Sequence, residues 1–262
     1  MAGVDPIVLY AAKDHVARIC LNRPPVRHAL SPALIAELRE ALRRAQADAE
    51  VRAVVLTAVG EDTFSVGGDL AELADPRGTL EQHETRGGFA DLFRLLAGLG
   101  KPVIARVDGA CFSAGLGLAL ACDLVVASDD STFGTPEIGH GLVPMMTMAT
   151  LIRNCGRKKA LEMILGGRAI HALEAERIGL INHAVPVEEL DARVDALARH
   201  LAGLSPAVMR LARDAFYTMA DLEFHNALAY LQTMLTLNLS MEDAREGVAA
   251  YLEKRAPEWT GR

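Results

Sequence analysis

The chain has little that would serve metal, disulfide or nucleic-acid chemistry. Its 262 residues include four cysteines, Cys20, Cys111, Cys122 and Cys155, with no CxxC pair and no spacing that suits a metal. They read as reduced, buried thiols of a cytoplasmic protein. The net charge is −7 and no basic run is dense, which argues against a nucleic-acid partner. The opening "MAGVDPIVLYAAKDH" carries Asp5 and alternates as a strand does, so it is not read as a signal peptide. The apolar run 103–127 is interrupted by Arg106, Asp108, three glycines and Asp123, which fits a buried strand, turn, helix and strand better than a membrane span. Two fingerprints are also missing. "GLGLAL" lacks the third glycine of a dinucleotide-binding turn. In "CFSAG", Cys111 and Phe112 stand where a nucleophile elbow needs Gly-x before Ser113.

What is present is core-forming sequence, 51% hydrophobic and 23% charged. Residues 7–22 read as two strands around a turn at Lys13-Asp14. Residues 31–48 read as a helix capped by Ser31, with Pro32 in its first turn and Leu34, Leu38, Ala41, Leu42 and Ala45 on one face. A buried strand at 51–60, a helix at 85–100 ended by Gly100, a strand at 103–109 and a helix from "GLGLALACD" follow. Residues 124–138 read as a strand and an ordered loop. This β/α alternation implies sheets covered by helices. Beyond about residue 157 the chain turns mostly helical: "KKALEMILGG" and "ALEAERIGL" are short helices stopped by glycine, Ser205-Pro206 opens a long amphipathic helix, and "SMED" (240–243) resembles a capping box. The expected organisation is a core over 1–200 and a helical region over 201–262.

Two segments can bring backbone close to a ligand. "FSVGGDL" (64–70) carries adjacent glycines, and "SAGLGLALACD" (113–123) begins with small residues and has no ionisable side chain before Asp123. A helix starting near Ala114 would direct unpaired N–H groups at whatever sits there. Each turn can present one N–H, and two such groups converging on one oxygen make an oxyanion hole. A titratable group is still required. The nearest is Glu137 in "GTPEIGHGLVP" (134–144), with His140 as a possible assistant; Asp69 reads as a helix cap or an acid. "PMMTMATLIR" (144–153) suits an adaptable apolar wall.

These motifs, in this order, resemble the crotonase superfamily, the enoyl-CoA hydratase/isomerase family. The resemblance runs through "ARICLNRPPVRHAL" (17–30), "AVVLTAVGEDTFSVGGDL" (53–70), "KPVIARVDGACFSAGLGLALACD" (101–123), "FGTPEIGHGLVP" (133–144), "EAERIGLINHAVP" (174–186) and "EGVAAYLEKRAPEWTGR" (246–262). It implies an α/β fold, a crotonase-like spiral of ββα units with a C-terminal helical region that builds trimers, often paired into hexamers. It implies an acyl-CoA thioester substrate and no separate cofactor, since coenzyme A is part of the substrate. By motif position the oxyanion donors are the N–H groups of Gly68 and Ala114. Arg27 is the candidate phosphate or adenine contact, with Val66, Asp69 and Leu70 beside the CoA ester. Tyr251 and Lys254 match an aromatic and a lysine that reach a neighbouring subunit's CoA.

One departure bears on the reaction. Hydratases of this family use two glutamates, and the position of one is Gly117 here, while the other is Glu137. One carboxylate suffices to carry a proton between C2 and C4, so double-bond isomerisation is favoured over hydration. The alternatives are a hydratase in which Asp69, Glu81 or Glu84 stands in, and a non-catalytic acyl-CoA-binding subunit. A glutamate placed at 117, one turn beyond Ala114, is expected to lie near the thioester and to raise water addition.

Overall fold

A computed structural model describes residues 6–73, 76 and 78–262. Strands β1 (Val8–Lys13) and β2 (Val16–Leu21) form an antiparallel hairpin whose turn holds Asp14 and His15 at positive φ. A 3-10 turn (Pro24–Val26) leads to α1 (Pro32–Ala47), where Ser31 Oγ accepts from the Leu34 N–H and the predicted apolar stripe is buried.

A repeating unit then follows: a strand in a large sheet, a short strand in a second sheet, and a helix. Its first round is β3 (Ala53–Ala58), β4 (Thr63–Ser65), α2 (Leu70–Leu73) and α3 (Thr79–Ala97). The second is β5 (Val103–Val107), β6 (Ala110–Phe112) and α4 (Ala114–Leu120). The third is β7 (Leu124–Ser128), β8 (Thr132–Gly134) and α5 (Met145–Gly166). Strand β9 (Ile170–His171), α6 (Ala172–Arg177), β10 (His183–Val185) and α7 (Val187–Ala202) complete the core. The large sheet has the order β1-β2-β3-β5-β7-β10, parallel from β2 onward. The second has the order β4-β6-β8-β9, parallel across its first three strands.

The central strands of the large sheet, β3, β5 and β7, are covered on both faces, which is why β3 reads as a continuous apolar run. On one face Leu56, Phe64, Leu34, Leu38, Leu92 and Phe133 belong to the main core. On the other, Val55, Ile104 and Val126 meet Leu190, Val194 and Ala198 of α7.

The repeat is the ββα unit that the resemblance implies, but its short second strand departs from the residue-by-residue reading. Strands of three residues are too short to display an alternation, so β4 and β6 were absorbed into turns and β8 into a loop. Helix α3 begins at Thr79, six residues ahead of expectation. Residues 145–166 form one helix broken at Gly156 (φ 74, ψ 165). The capping box at 240–243 does not form: Ser240 ends α9 and donates to the Leu237 carbonyl, and Met241 precedes α10 with no side-chain cap. Cys111 and Cys122 are buried, but Cys20 and Cys155 are only half-buried; all four are free.

Helices α8 (Pro206–Met219), α9 (Phe224–Ser240) and α10 (Glu242–Glu253) form the C-terminal region. Two anchors hold it. Arg213 donates from Nε and Nη2 to both Asp123 oxygens at 2.8 Å, and that carboxylate also accepts from the Tyr217 hydroxyl (2.7 Å) and the Val103 N–H (2.6 Å). Asp243, fully buried, accepts from Ser205 Oγ and from groups of Thr260 and Gly261, which straps the tail across the start of α8.

Candidate active site

The second sheet positions the site. Three turns leave the carboxyl ends of its adjacent parallel strands β4, β6 and β8, where crevices form in parallel sheets. They border a cavity of about 860 Å³ walled by apolar side chains such as Leu30, Ile35, Phe89, Val143 and Met146.

The turn after β4 is tied down by Ser65, whose buried Oγ donates to the His28 carbonyl (2.8 Å) and accepts from the Gly67 N–H (3.2 Å). Gly67 sits at φ +103, and a Cβ there would lie 2.5 Å from Ser113 Cβ and 3.1 Å from the Ala114 nitrogen. Glycine is therefore required twice over, for its backbone angle and for the contact between the two turns. Leu30 bridges this turn, donating to the Gly67 carbonyl (2.7 Å) and accepting from the Asp69 N–H (3.3 Å). The Gly68 N–H between them donates to no described residue.

The turn after β6 is strained. Ser113 adopts φ 55, ψ −123, a conformation that costs a non-glycine residue about 1–3 kcal/mol unless its surroundings hold it. They do: its N–H donates to the Gly134 carbonyl (2.9 Å), and its carbonyl accepts from the Gly117 N–H and from Thr147 Oγ1, both at 3.1 Å. The Ala114 N–H, like that of Gly68, has no acceptor among the described residues.

The turn after β8 carries the acid. Thr135 is buried and donates to the Met163 carbonyl of α5 (2.9 Å), fixing the start of a 3-10 helix (Pro136–His140). Half-buried Glu137 in that helix accepts from Ser113 Oγ at 2.5 Å, the one side-chain hydrogen bond of its carboxylate among the described residues. His140, exposed, also borders the cavity. The thiols of Cys111 and Cys122 are pushed up by burial and offer no competing nucleophile.

Of the residues singled out from sequence, Val66, Gly68, Asp69, Leu70, Ala114 and Glu137 all border this cavity. Arg27 does not; it is exposed at φ 51, and its carbonyl accepts from the Val66 N–H (3.2 Å). Tyr251 and Lys254 lie exposed at the end of α10 and do not reach it either. Asp69 is occupied, pairing with Arg23 (3.1 Å) and accepting from the Ala71 N–H (3.2 Å) at the start of α2. Glu81 and Glu84 are exposed on α3, whose cavity side consists of Gln82, Thr85, Arg86 and Phe89. Exposed Glu72 borders the cavity.

The expectation for Gly117 requires correction. It is buried and does not border the cavity. A Cβ there would meet Thr147 Oγ1 at 2.6 Å and Phe93 Cζ at 3.0 Å, so a lone glutamate would be driven into packed side chains. Thr147 and Ser113 are the two residues whose part in the site the sequence reading missed. Thr147 stood inside the methionine run, and Ser113 was judged only against a motif it lacks.

Residues 11–262 match the profile described as enoyl-CoA hydratase/isomerase. The mouse protein named enoyl-CoA hydratase domain-containing protein 3, mitochondrial, is 34% identical over 95% of this chain and 82% of its own length. The 2,3-dehydroadipyl-CoA hydratase of Escherichia coli K12 is 33% identical over 97% of this chain and 99% of its own. Among solved structures, an enoyl-CoA hydratase from Mycobacterium smegmatis superposes with a TM-score of 0.93 at 35% identity, covering 97% of this chain and 99% of that one. Human enoyl Coenzyme A hydratase domain-containing protein 3 gives 0.94 at 32% identity, covering 97% and 100%.

Proposed function

The chain belongs to the enoyl-CoA hydratase/isomerase family of the crotonase superfamily, enzymes that act on acyl-CoA thioesters, and from that premise we propose that it moves a double bond within an enoyl-CoA. The thioester oxygen lies between the N–H groups of Gly68 and Ala114. Removing a proton from C2 or C4 places negative charge on that oxygen, and two fixed donors stabilise the enolate; losing one such donor typically costs roughly 10²–10³ in rate. Glu137 takes the proton from one carbon and returns it to the other. Coenzyme A enters as part of the substrate, with Val66 and Leu70 beside it and exposed Arg27 as a phosphate contact.

One observation favours isomerisation over hydration. Glu137 opens onto the cavity, whereas the space beside Gly117, where a second glutamate would sit, is filled by Thr147 and Phe93. Asp69, the one of the three candidate stand-ins that borders the cavity, is paired with Arg23. The test is product analysis after incubation with a 3-enoyl-CoA and with a 2-enoyl-CoA. Interconversion of the two with little 3-hydroxyacyl-CoA supports the reading. Predominant water addition makes the chain a hydratase, and neither reaction makes it a binding subunit.

The assembly that goes with this reading is a trimer or a pair of trimers, in which Tyr251 and Lys254 reach a neighbour's CoA. Its support is the apolar surface left exposed on α8–α10, including Phe216, Phe224, Leu235, Leu239 and Leu252. A sedimentation mass of one chain at micromolar concentration would refute it. No helix among the described residues is long and apolar enough to cross a membrane. Four free thiols suit a reducing compartment such as the cytoplasm.

A further inference from the structure

We propose that the site also hydrolyses acyl-CoA thioesters through an acyl-enzyme on Ser113, an inference that rests on the acyl-CoA-binding role above. "CFSAG" lacks the first glycine of a nucleophile elbow, yet the backbone makes the turn. Ser113 leaves β6 at φ 55, ψ −123, and α4 starts at the next residue. A sharp strand-to-helix turn of this kind exposes a serine beside the N–H of the residue that follows it, which serves as an oxyanion donor. Here that N–H belongs to Ala114 and, among the described residues, has no acceptor; the same holds for the N–H of Gly68 on the adjoining turn.

The turn itself does not call for serine. Glycine adopts positive φ without strain, so a side chain at 113 costs stability and adds only its hydroxyl. That hydroxyl borders the cavity and donates to Glu137 Oε2 at 2.5 Å. Its backbone is fixed from β8 and α5 through Gly134 and Thr147, and the missing Cβ of Gly67 makes room for its side chain. A hydroxyl nucleophile, a carboxylate within hydrogen-bond reach and two backbone N–H donors therefore border one cavity.

In the first step Ser113 Oγ bonds to the thioester carbonyl carbon while its proton passes to Glu137. The charge on the carbonyl oxygen is held by the two N–H groups. Collapse breaks the carbon–sulfur bond, and Glu137 gives the proton to the departing CoA sulfur. Water then attacks the acyl-serine, losing a proton to Glu137; the ester bond breaks and Ser113 regains a proton. The sum is thioester plus water to carboxylic acid plus CoA thiol, with no change of oxidation state. The substrate class is acyl-CoA without a movable double bond, for which proton transfer between C2 and C4 leads nowhere.

Hexanoyl-CoA separates this activity from the one proposed above, because a saturated ester can be neither hydrated nor isomerised. Thiol release is followed with a chromogenic thiol reagent, and acid-quenched protein is weighed intact and mapped. The expected result is steady thiol release, one hexanoyl group on Ser113, and a loss of about 10³-fold or more in Ser113→Gly. Glycine suits the backbone, so that variant folds. Thiol release retained in Ser113→Gly overturns the proposal in favour of direct attack by water. A wild type that binds hexanoyl-CoA by calorimetry without releasing thiol overturns this proposal alone. Failure to bind any acyl-CoA overturns the acyl-CoA reading as well.

Discussion

Two carboxylates in this chain each accept a 2.5 Å hydrogen bond from a serine hydroxyl, Glu137 from Ser113 and Asp243 from Ser205. Their surroundings set them apart. Asp243 is fully buried, and its remaining capacity is filled by the Thr260 N–H and hydroxyl and by the Gly261 N–H. Its serine is committed too, accepting from the Val208 N–H at the start of α8. Glu137 is half-buried and borders a cavity; among the described residues it has no other side-chain partner and the two N–H groups beside it have no acceptor. The same pair of groups thus makes a strap when every lone pair is used, and a candidate acid–base when capacity is left facing a ligand-sized space.

The sharpest way to break this comparison is to remove each carboxylate in turn. Glu137→Gln keeps size and loses basicity, and is expected to lower proton transfer on enoyl-CoA by about 10²–10⁴-fold while leaving ester binding close to wild type. Asp243→Ala is expected to do the reverse. It takes the acceptor away from the buried Ser205 hydroxyl and from the exposed Thr260 and Gly261 groups that strap the tail, costing about 1–3 kcal/mol in urea unfolding, with turnover of the folded fraction preserved. Near wild-type turnover in Glu137→Gln, or a large loss of turnover in folded Asp243→Ala, would erase the distinction.

Gly117→Glu sharpens it from another side. Thr147 and Phe93 occupy the space, so overpacking is expected to cost about 1–3 kcal/mol, and the ratio of 3-hydroxyacyl-CoA to isomerised product is not expected to rise. Urea unfolding and product analysis check the two halves. A stable variant with raised water addition would show that the site can open for a second acid.

The smallest effect is in pH. Burial opposes ionisation of Asp243, but hydrogen bonds from Ser205, Thr260 and Gly261 outweigh it and hold the carboxyl below its ordinary value. A depressed folded-state value means that the strap's contribution is complete above the unfolded carboxyl's value, about pH 4, and fades as pH falls through the folded one. Glu246, drawn down to about 2 by hydrogen bonds from Arg255 and the Glu258 N–H, holds the same tail in the same direction. Wild type is therefore expected to lose Tm between about pH 5 and 3 more steeply than Asp243→Ala. Parallel curves would mean that the strap does not titrate there.

Much of the large sheet was legible because its signals are local. The apolar runs of β3 and β5, the stripe and Ser31 cap of α1, and the glycine turn at 67–68 each follow from a few neighbouring residues. The second sheet was not, since its three-residue strands exist only by pairing with one another. The site was half legible for the same reason. Gly68, Ala114 and Glu137 stood out, but the filling of the space beside Gly117 depends on Phe93 and on Thr147, thirty residues further along the chain. The strain at Ser113 is set by Gly134 and Thr147, and no local motif announces it. Asp243 read as part of a capping box because its partners, at 205 and 260–261, lie outside any short window.

The central claim, that Glu137 moves a proton on a thioester enolate held by Gly68 and Ala114, is tested most directly in heavy water. A 3-enoyl-CoA is incubated with wild type and with Glu137→Gln, and the products are read by NMR. The account predicts the double bond shifted and no oxygen added, with deuterium at C2 or C4 to the extent that the Glu137 carboxyl exchanges its proton before returning it, and almost none of this in the variant. Exchange that continues undiminished in Glu137→Gln, or a wild-type product that is chiefly 3-hydroxyacyl-CoA, would contradict it.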